Sequence, residues 1–208
     1  MIRRFVFLFV TLLSGCEALP VTEVPLSAIE QQAAWARHQA QLEGLEAWTL
    51  DGRISLRHDE EAWHASLHWQ QVDSVYHLNL FGPFGQGAVQ LDGSPQGVVL
   101  HHDGQILQSD DAEQLLQQQL GLQVPVNGLR YWAVGRVAPG SDHKEELDSA
   151  GRLAVLEQNG WRVRYRGYVA VQGFMLPNKV FLDHDGLDVR LVIDQWQLVA
   201  AAPGRRGG

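Results

Sequence analysis

From Trp48 onward the chain alternates apolar and polar residues with a period of two, and no other feature limits its fold as much. In Trp48-Thr-Leu50-Asp-Gly-Arg-Ile54-Ser-Leu56 the large apolar side chains fall on even positions. Trp63-His-Ala65-Ser-Leu67-His-Trp69 alternates on odd ones, and Val75-Tyr76-His-Leu78-Asn-Leu80 follows. Successive side chains of a strand point to opposite faces, so each segment predicts a strand with one buried and one wet face. Ala88-Val89-Gln-Leu91 and Val98-Val99-Leu100, turned at Asp103-Gly104, continue the series. A second group comprises Leu153–Leu156, Trp161–Arg166, Tyr168–Val171, Val180–Leu182 and Val189–Ile193, closed by Trp196-Gln-Leu198. The short connections suit antiparallel neighbours. About ten or eleven such strands, with a few helices, predict a mainly β domain built as a curled sheet or open barrel.

The helices are signalled separately. Ser27 with Glu30 three residues on has the form of a capping box and opens a helix from Ala28 to Leu42. Ile29, Ala33, Ala36 and Ala40 give it one weak apolar stripe, and Gly44 stops it. Asp110 or Asp111 caps a second helix through Leu120, ended by Gly121. Leu129 to Gly135 reads as one or two further helical turns, and a charged loop runs from Pro139-Gly140 to Asp148. No linker interrupts the pattern, so residues 27–199 form one domain, and 200–208 a low-complexity tail.

The N-terminus carries a different signal. Met1-Ile2-Arg3-Arg4 precedes Phe5 to Leu13, a basic start and a short apolar stretch typical of an export leader. That stretch is well short of the ~20 residues a permanent spanning helix needs. Leu13-Ser14-Gly15-Cys16 resembles the lipobox of bacterial lipoproteins. The resemblance implies cleavage before Cys16 and acylation of its thiol and new amino group, with residues 1–15 as the leader and 16–26 as lipidated cysteine and tether. The alternative is an ordinary leader with a chance cysteine. Cys16 is the sole cysteine, and an unpaired thiol in an exported protein needs an explanation that a lipid thioether supplies. In lipoproteins of this kind Asp after the cysteine commonly signals inner-membrane retention, so Glu17 points to the outer membrane.

Composition narrows the function. With 45% hydrophobic and 19% charged residues the chain is neither largely disordered nor polytopic in a membrane. Loss of Arg3 and Arg4 with the leader takes the formal charge from −8 to about −10, the wrong sign for a partner that tracks phosphates along nucleic acid. His64 and His68 are four apart on a strand, roughly 13 Å at ~3.3 Å per residue, too far for one metal. Gly82-Pro83-Phe84-Gly85-Gln86-Gly87 joins two strands, whereas phosphate cradles need a helix N-terminus behind them. No nucleophile elbow or paired carboxylates stand out, so no catalytic residue, metal site or cofactor is assigned. Arg162, Arg164 and Arg166 share one strand face, either simply solvated or a site for a lipid headgroup or acidic partner.

The bulky apolar set is the informative one: Trp48, Leu50, Ile54, Trp63, Leu67, Trp69, Tyr76, Leu78, Leu80, Trp161, Tyr165, Leu191 and Ile193. These residues either close-pack as a core or line a cavity that takes acyl chains. Phe84, flanked by Gly and Pro, either folds back onto the sheet or projects to insert into a membrane or another protein.

From Trp48 to Leu198 the chain resembles the outer-membrane lipoprotein receptor family LolB. The resemblance rests on Leu50-Asp-Gly-Arg-Ile-Ser-Leu56, Gly82-Pro-Phe-Gly85, Asp111-Ala-Glu113 and Pro125-Val-Asn-Gly-Leu-Arg-Tyr-Trp132. Gly135-Arg136, Trp161-Arg-Val-Arg-Tyr165, Tyr168 and Leu176-Pro177 add to it, and the order of the pieces together with the lipobox makes it specific. It implies an incomplete antiparallel β-barrel capped by helices around an apolar cavity. It also implies a non-enzymatic, monomeric receptor on the periplasmic side of the outer membrane of a Gram-negative bacterium. Such a receptor takes lipoproteins, by their acyl chains, from the periplasmic carrier LolA and places them in outer-membrane lipid. The family's functional loop carries a protruding hydrophobic residue, usually Leu; the matching position here is Phe84. The competing expectation is a structural or interaction lipoprotein of the envelope with a solid barrel core.

Overall fold

The computed structural model describes residues 26–199, apart from 59, 83–87 and 122–123. Helix α1 (Ala28–Glu43) leads into a meander of six strands: β1 (Ala47–His58), β2 (Glu61–Val72), β3 (Val75–Phe81), β4 (Val89–Ser94), β5 (Gly97–His102) and β6 (Gln105–Ser109). Helices α2 (Ala112–Leu120) and α3 (Val126–Trp132) follow. A second meander comprises β7 (His143–Leu147), β8 (Leu153–Gln158), β9 (Trp161–Val171), β10 (Phe174–His184) and β11 (Leu187–Leu198). Strand β11 returns beside β1, giving one eleven-stranded antiparallel sheet in the order β6-β5-β4-β3-β2-β1-β11-β10-β9-β8-β7. Strands β6 and β7 do not pair with each other, so the sheet is an open barrel.

Local chemistry explains much of this path. Four hairpins turn on two residues with positive φ (Asp103-Gly104, Asn159-Gly160, Gln172-Gly173 and Asp185-Gly186), the backbone that matches the twist of the strands it joins. Gly52 allows the sheet to bend at its centre. It sits at the bulge where β1 meets β11, and a Cβ there would come within 2.4 Å of the Val192 carbonyl. Even-numbered side chains of β1 and odd-numbered ones of β2 face the concave side, as the alternation predicts.

Three expectations need correction. Helix α1 has the anticipated capping box, with Glu30 N–H donating to Ser27 Oγ and Ser27 N–H to Glu30 Oε2. Its buried face, however, is Trp35, His38 and Leu42, while Ile29, Ala33, Ala36 and Ala40 are exposed. Burying one Trp and one Leu removes far more apolar area from water than burying three alanines, so the large residues decide the rotation. The stretch expected to be a charged loop contains β7, whose His-Lys-Glu-Glu-Leu sequence has no apolar alternation because it is an edge strand. Strand β10 begins at Phe174 rather than Val180 and carries Pro177 at a bulge, where a missing N–H is tolerated.

Candidate functional site

The concave side holds a cavity of about 110 Å³ with an entirely apolar wall. Ile54 and Leu56 from β1, Leu67 and Trp69 from β2, Leu78 and Leu80 from β3, and Val89 and Leu91 from β4 form one side. Trp161, Leu182 and Val189 from β9, β10 and β11 form the other. Leu116 of α2 and the segment from Val124 to Leu129, which includes the first turn of α3, cover it. An apolar space of this order has no groups to hold water and stays dry.

One end of the concavity is closed by tryptophans. Trp48 makes edge contacts with Trp69, centroids 4.9 Å apart, and with Trp196 at 5.4 Å. Each polar handle is used: Trp69 Nε1 donates to Gln71 Oε1 at 3.1 Å, and Trp196 Nε1 donates to the Pro177 carbonyl at 2.9 Å. At the end of α3, Trp132 is fully buried and donates to Gln158 Oε1 at 2.9 Å. Gln158 is satisfied in turn, its amide donating to the Ala138 carbonyl and Ser141 Oγ and its oxygen accepting from Ala138 N–H. Tyr165 donates to the Trp132 carbonyl at 3.0 Å, and complete burial holds its phenol well above the usual range. Burial pushes the Tyr76 hydroxyl up to about 12; its ring lies against Gly93, where a Cβ would overlap it. None of these groups ionises near neutral pH.

Among the bulky residues singled out from sequence, Ile54, Leu67, Trp69, Leu78, Leu80 and Trp161 line the cavity. Trp48, Leu50, Tyr76, Tyr165, Leu191 and Ile193 are buried in the surrounding core without lining it. Trp63, on the same inward row of β2, is half-buried. Cys16 and Phe84 lie outside the described residues. The loop that carries Phe84 joins the paired strands β3 and β4, and Phe81 at its approach is 46% exposed. Sequence reasoning missed the helical cover (Leu116, Val126 and Leu129) and the continuation of the inward rows at Leu56, Leu91, Leu182 and Val189. Strand parity could have supplied the second group; the first needs the fold.

The outer face is polar. Arg53 forks onto Asp194 and Arg57 onto Asp188. Arg162 pairs with Glu157 and Arg164 with Asp183. His68 and His77 each contact one carboxylate, Asp51 and Asp92, at 2.6 and 2.7 Å. Among the described residues, no group of three or more His, Cys, Asp or Glu is placed to hold a metal.

Comparison with known proteins agrees on one family. The family model for the outer membrane lipoprotein LolB matches residues 46–196. The outer-membrane lipoprotein LolB of Nitrosococcus oceani is 41% identical over 189 residues, covering 90% of this chain and 92% of its own. That of Pseudomonas syringae pv. syringae is 39% identical over 193 residues, covering 92% and 94%. Among solved structures, a LolA superfamily protein from Nitrosomonas europaea superimposes with a TM-score of 0.56 at 11% identity, covering 84% of this chain and 96% of that one. That likeness concerns the fold alone.

Proposed function

This chain belongs to the LolB family of outer-membrane lipoproteins, and on that premise we propose that it is the lipid-anchored receptor that accepts lipoproteins from a periplasmic carrier and delivers them into the outer membrane. The observation that supports this reading above all is the cavity: every residue that lines it is apolar, and it stays unfilled in a sheet whose other interior is close-packed. A solid-barrel scaffold would have no use for such a space.

The physics of the cargo gives the space a purpose. Two or three acyl chains, at ~0.8 kcal/mol per buried CH₂, make passage through water cost on the order of tens of kcal/mol. A lipoprotein must therefore move from one apolar enclosure to another, each step favoured by tighter binding downstream. At about 110 Å³ the cavity is smaller than the ~300 Å³ at which ligand pockets begin, so cargo entry requires the α2–α3 cover to move off the sheet. That cover meets the cavity through aliphatic side chains, so α2 and the first turn of α3 can lift while the Trp132–Gln158 and Tyr165–Trp132 hydrogen bonds hold the end of α3. The role is binding and release, with no reaction catalysed. Acylation of Cys16 tethers the protein to the membrane, and Phe84, in the loop between β3 and β4, enters the bilayer at release.

The test mixes carrier loaded with radiolabelled lipoprotein with this protein exported behind an ordinary leader and bearing Cys16→Ala. Label should move to it. Phe84→Glu should leave that step largely intact and impair incorporation into liposomes. Label that stays on a competent carrier would overturn the receptor reading; unimpaired incorporation by the Phe84→Glu variant would overturn the role of the loop.

A further inference from the structure

The outer face carries a second recess, a groove of about 640 Å³ across β2, β1, β11 and β10 that ends at Phe81 and Gly82. Two rows of outward side chains cross it. In one, Phe81, Ser66, Arg53, Val192 and Lys179 stand in register on β3, β2, β1, β11 and β10. In the next, His64, Ser55, Arg190 and Phe181 do the same. The groove is lined by Arg53, Lys179, Arg190 and His64 but by no carboxylate, in a chain of formal charge −8.

The cations differ in their state. Arg53 is held by Asp194, and the neighbouring Arg57, Arg162 and Arg164 each have a carboxylate partner. Lys179 and Arg190 are exposed, and among the described residues neither has a carboxylate within 4.0 Å. Arg190 lies over the Phe181 ring, 5.7 Å from its centroid, which leaves its N–H donors available. Free charge therefore sits in the groove, on β10 and β11, whereas in the row that stands out in the sequence Arg162 and Arg164 are paired and, among the described residues, only Arg166 has no carboxylate within 4.0 Å. Apolar Phe81, Phe181 and Val192 alternate with these cations, the composition of a surface that rests at the boundary between headgroups and acyl chains.

We propose that this groove receives the phosphate of a membrane phospholipid headgroup on Lys179 and Arg190, so that the outer sheet face beside Gly82 lies against the bilayer. The proposal deepens the receptor reading and rests on its claim that the β3–β4 loop meets the membrane. It fixes how the molecule stands there, with the cation groove at headgroup depth and the concave side free for cargo.

The test uses the same Cys16→Ala protein, because every described strand and helix lies within residues 26–199, away from the substituted cysteine in sequence. Partition onto vesicles of phosphatidylethanolamine and phosphatidylglycerol is measured at low and physiological salt. Lys179→Gln with Arg190→Gln should weaken partition roughly 10- to 30-fold at low salt, two surface cations' worth. Arg57→Gln with Arg162→Gln removes the same charge from paired sites and should weaken it less than about 3-fold. Equal loss in both variants would reduce the effect to net charge and overturn the groove, as would no partition by the parent. Phe84→Glu separates the two readings. If it abolishes partition while the groove variant does not, the loop stands and the groove falls; the reverse keeps the groove and removes the loop. Broadening of the phosphorus resonance of inorganic phosphate, lost in the groove variant while vesicle binding is unchanged, would make this a free-phosphate site and overturn the proposal. Loss of carrier binding with vesicle binding intact would reassign it to an acidic protein partner.

Discussion

The aromatic and the aliphatic parts of the concave side are built on the same strands yet differ in how they are filled. At one end Trp48, Trp69 and Trp196 pack edge to face, and towards the β8–β9 hairpin Trp132, Gln158 and Tyr165 lock together by hydrogen bonds. Elsewhere Ile54, Leu56, Leu80, Leu182 and Val189 face Leu116 and Leu129 across a void. An indole or phenol brings a large area and a polar handle whose partner fixes its position, so packing there has one solution. Aliphatic chains carry no such instruction and leave a space that can widen. The difference separates the part of the molecule that holds the fold from the part proposed to receive cargo.

The harshest way to break that contrast is to remove the hydrogen-bonded indole. Trp132→Ala should cost about 3–5 kcal/mol, since it removes a fully buried indole. It also deprives Gln158 Oε1 of its indole donor, leaving only the Ala138 N–H. Trp132→Phe keeps most of the volume and should lose less, roughly 1–3 kcal/mol, from the hydrogen bond lost to Gln158 and the smaller ring. Urea midpoints of the anchor-free protein measure both. Equal losses would mean that the volume of the ring contributes little and the hydrogen bond alone fixes this cluster; a Trp132→Phe variant as stable as the parent would mean that shape alone does.

How much of the contrast was legible in the sequence depends on the level. Strand parity announces which residues face inward, and the concave face follows it from Trp48 to Ile193. Parity does not say where along the concavity a residue falls. Leu50 and Ile54 share a row, yet Leu50 is sealed in the core and Ile54 borders the void. The difference is set by which helix lies above each, and that is a long-range fact: α1 reaches β7 through Trp35 Nε1 to Glu145 and β10 through His38 to Met175, more than a hundred residues away. The polar edge strand β7 was illegible for a related reason, since pairing with β8, rather than any pattern of its own, makes it a strand. Arg162 and Arg164 read as part of a candidate cationic face because their partners, Glu157 and Asp183, sit on adjoining strands whose register the sequence does not state.

A milder change sharpens the contrast from the open end. Leu129→Phe, aimed into the void from α3, should alter stability by less than about 1.5 kcal/mol in either direction, because space is available for the added atoms. Transfer of label from the carrier should nevertheless fall several-fold. Leu129→Ala should cost about 2–3 kcal/mol and keep transfer. A filled cavity that accepts cargo as well as the parent would show that the acyl chains bind elsewhere.

The smallest effect concerns His38, where α1 crosses the closed end. Its Nε2 lies 2.9 Å from the Met175 carbonyl, which fixes the neutral tautomer with Nε2–H donating, and Nδ1 is buried without a partner. The rings of Trp35 and Tyr168 lie edge-on at 6.0 and 6.2 Å. Burial pulls its pKa below 6.5; the Met175 carbonyl and Asp148 oppose that pull, and Arg152 adds to it. A histidine with a lowered folded pKa stabilises the protein above its unfolded value, and that contribution is lost as pH falls from 6.5 towards the folded one. The melting temperature should therefore drop as the medium becomes mildly acidic. In His38→Gln, whose amide can still donate to Met175, the curve should be flatter over that range. Parallel curves for the two proteins would place the acid sensitivity elsewhere and leave the closed end held by its tryptophans alone.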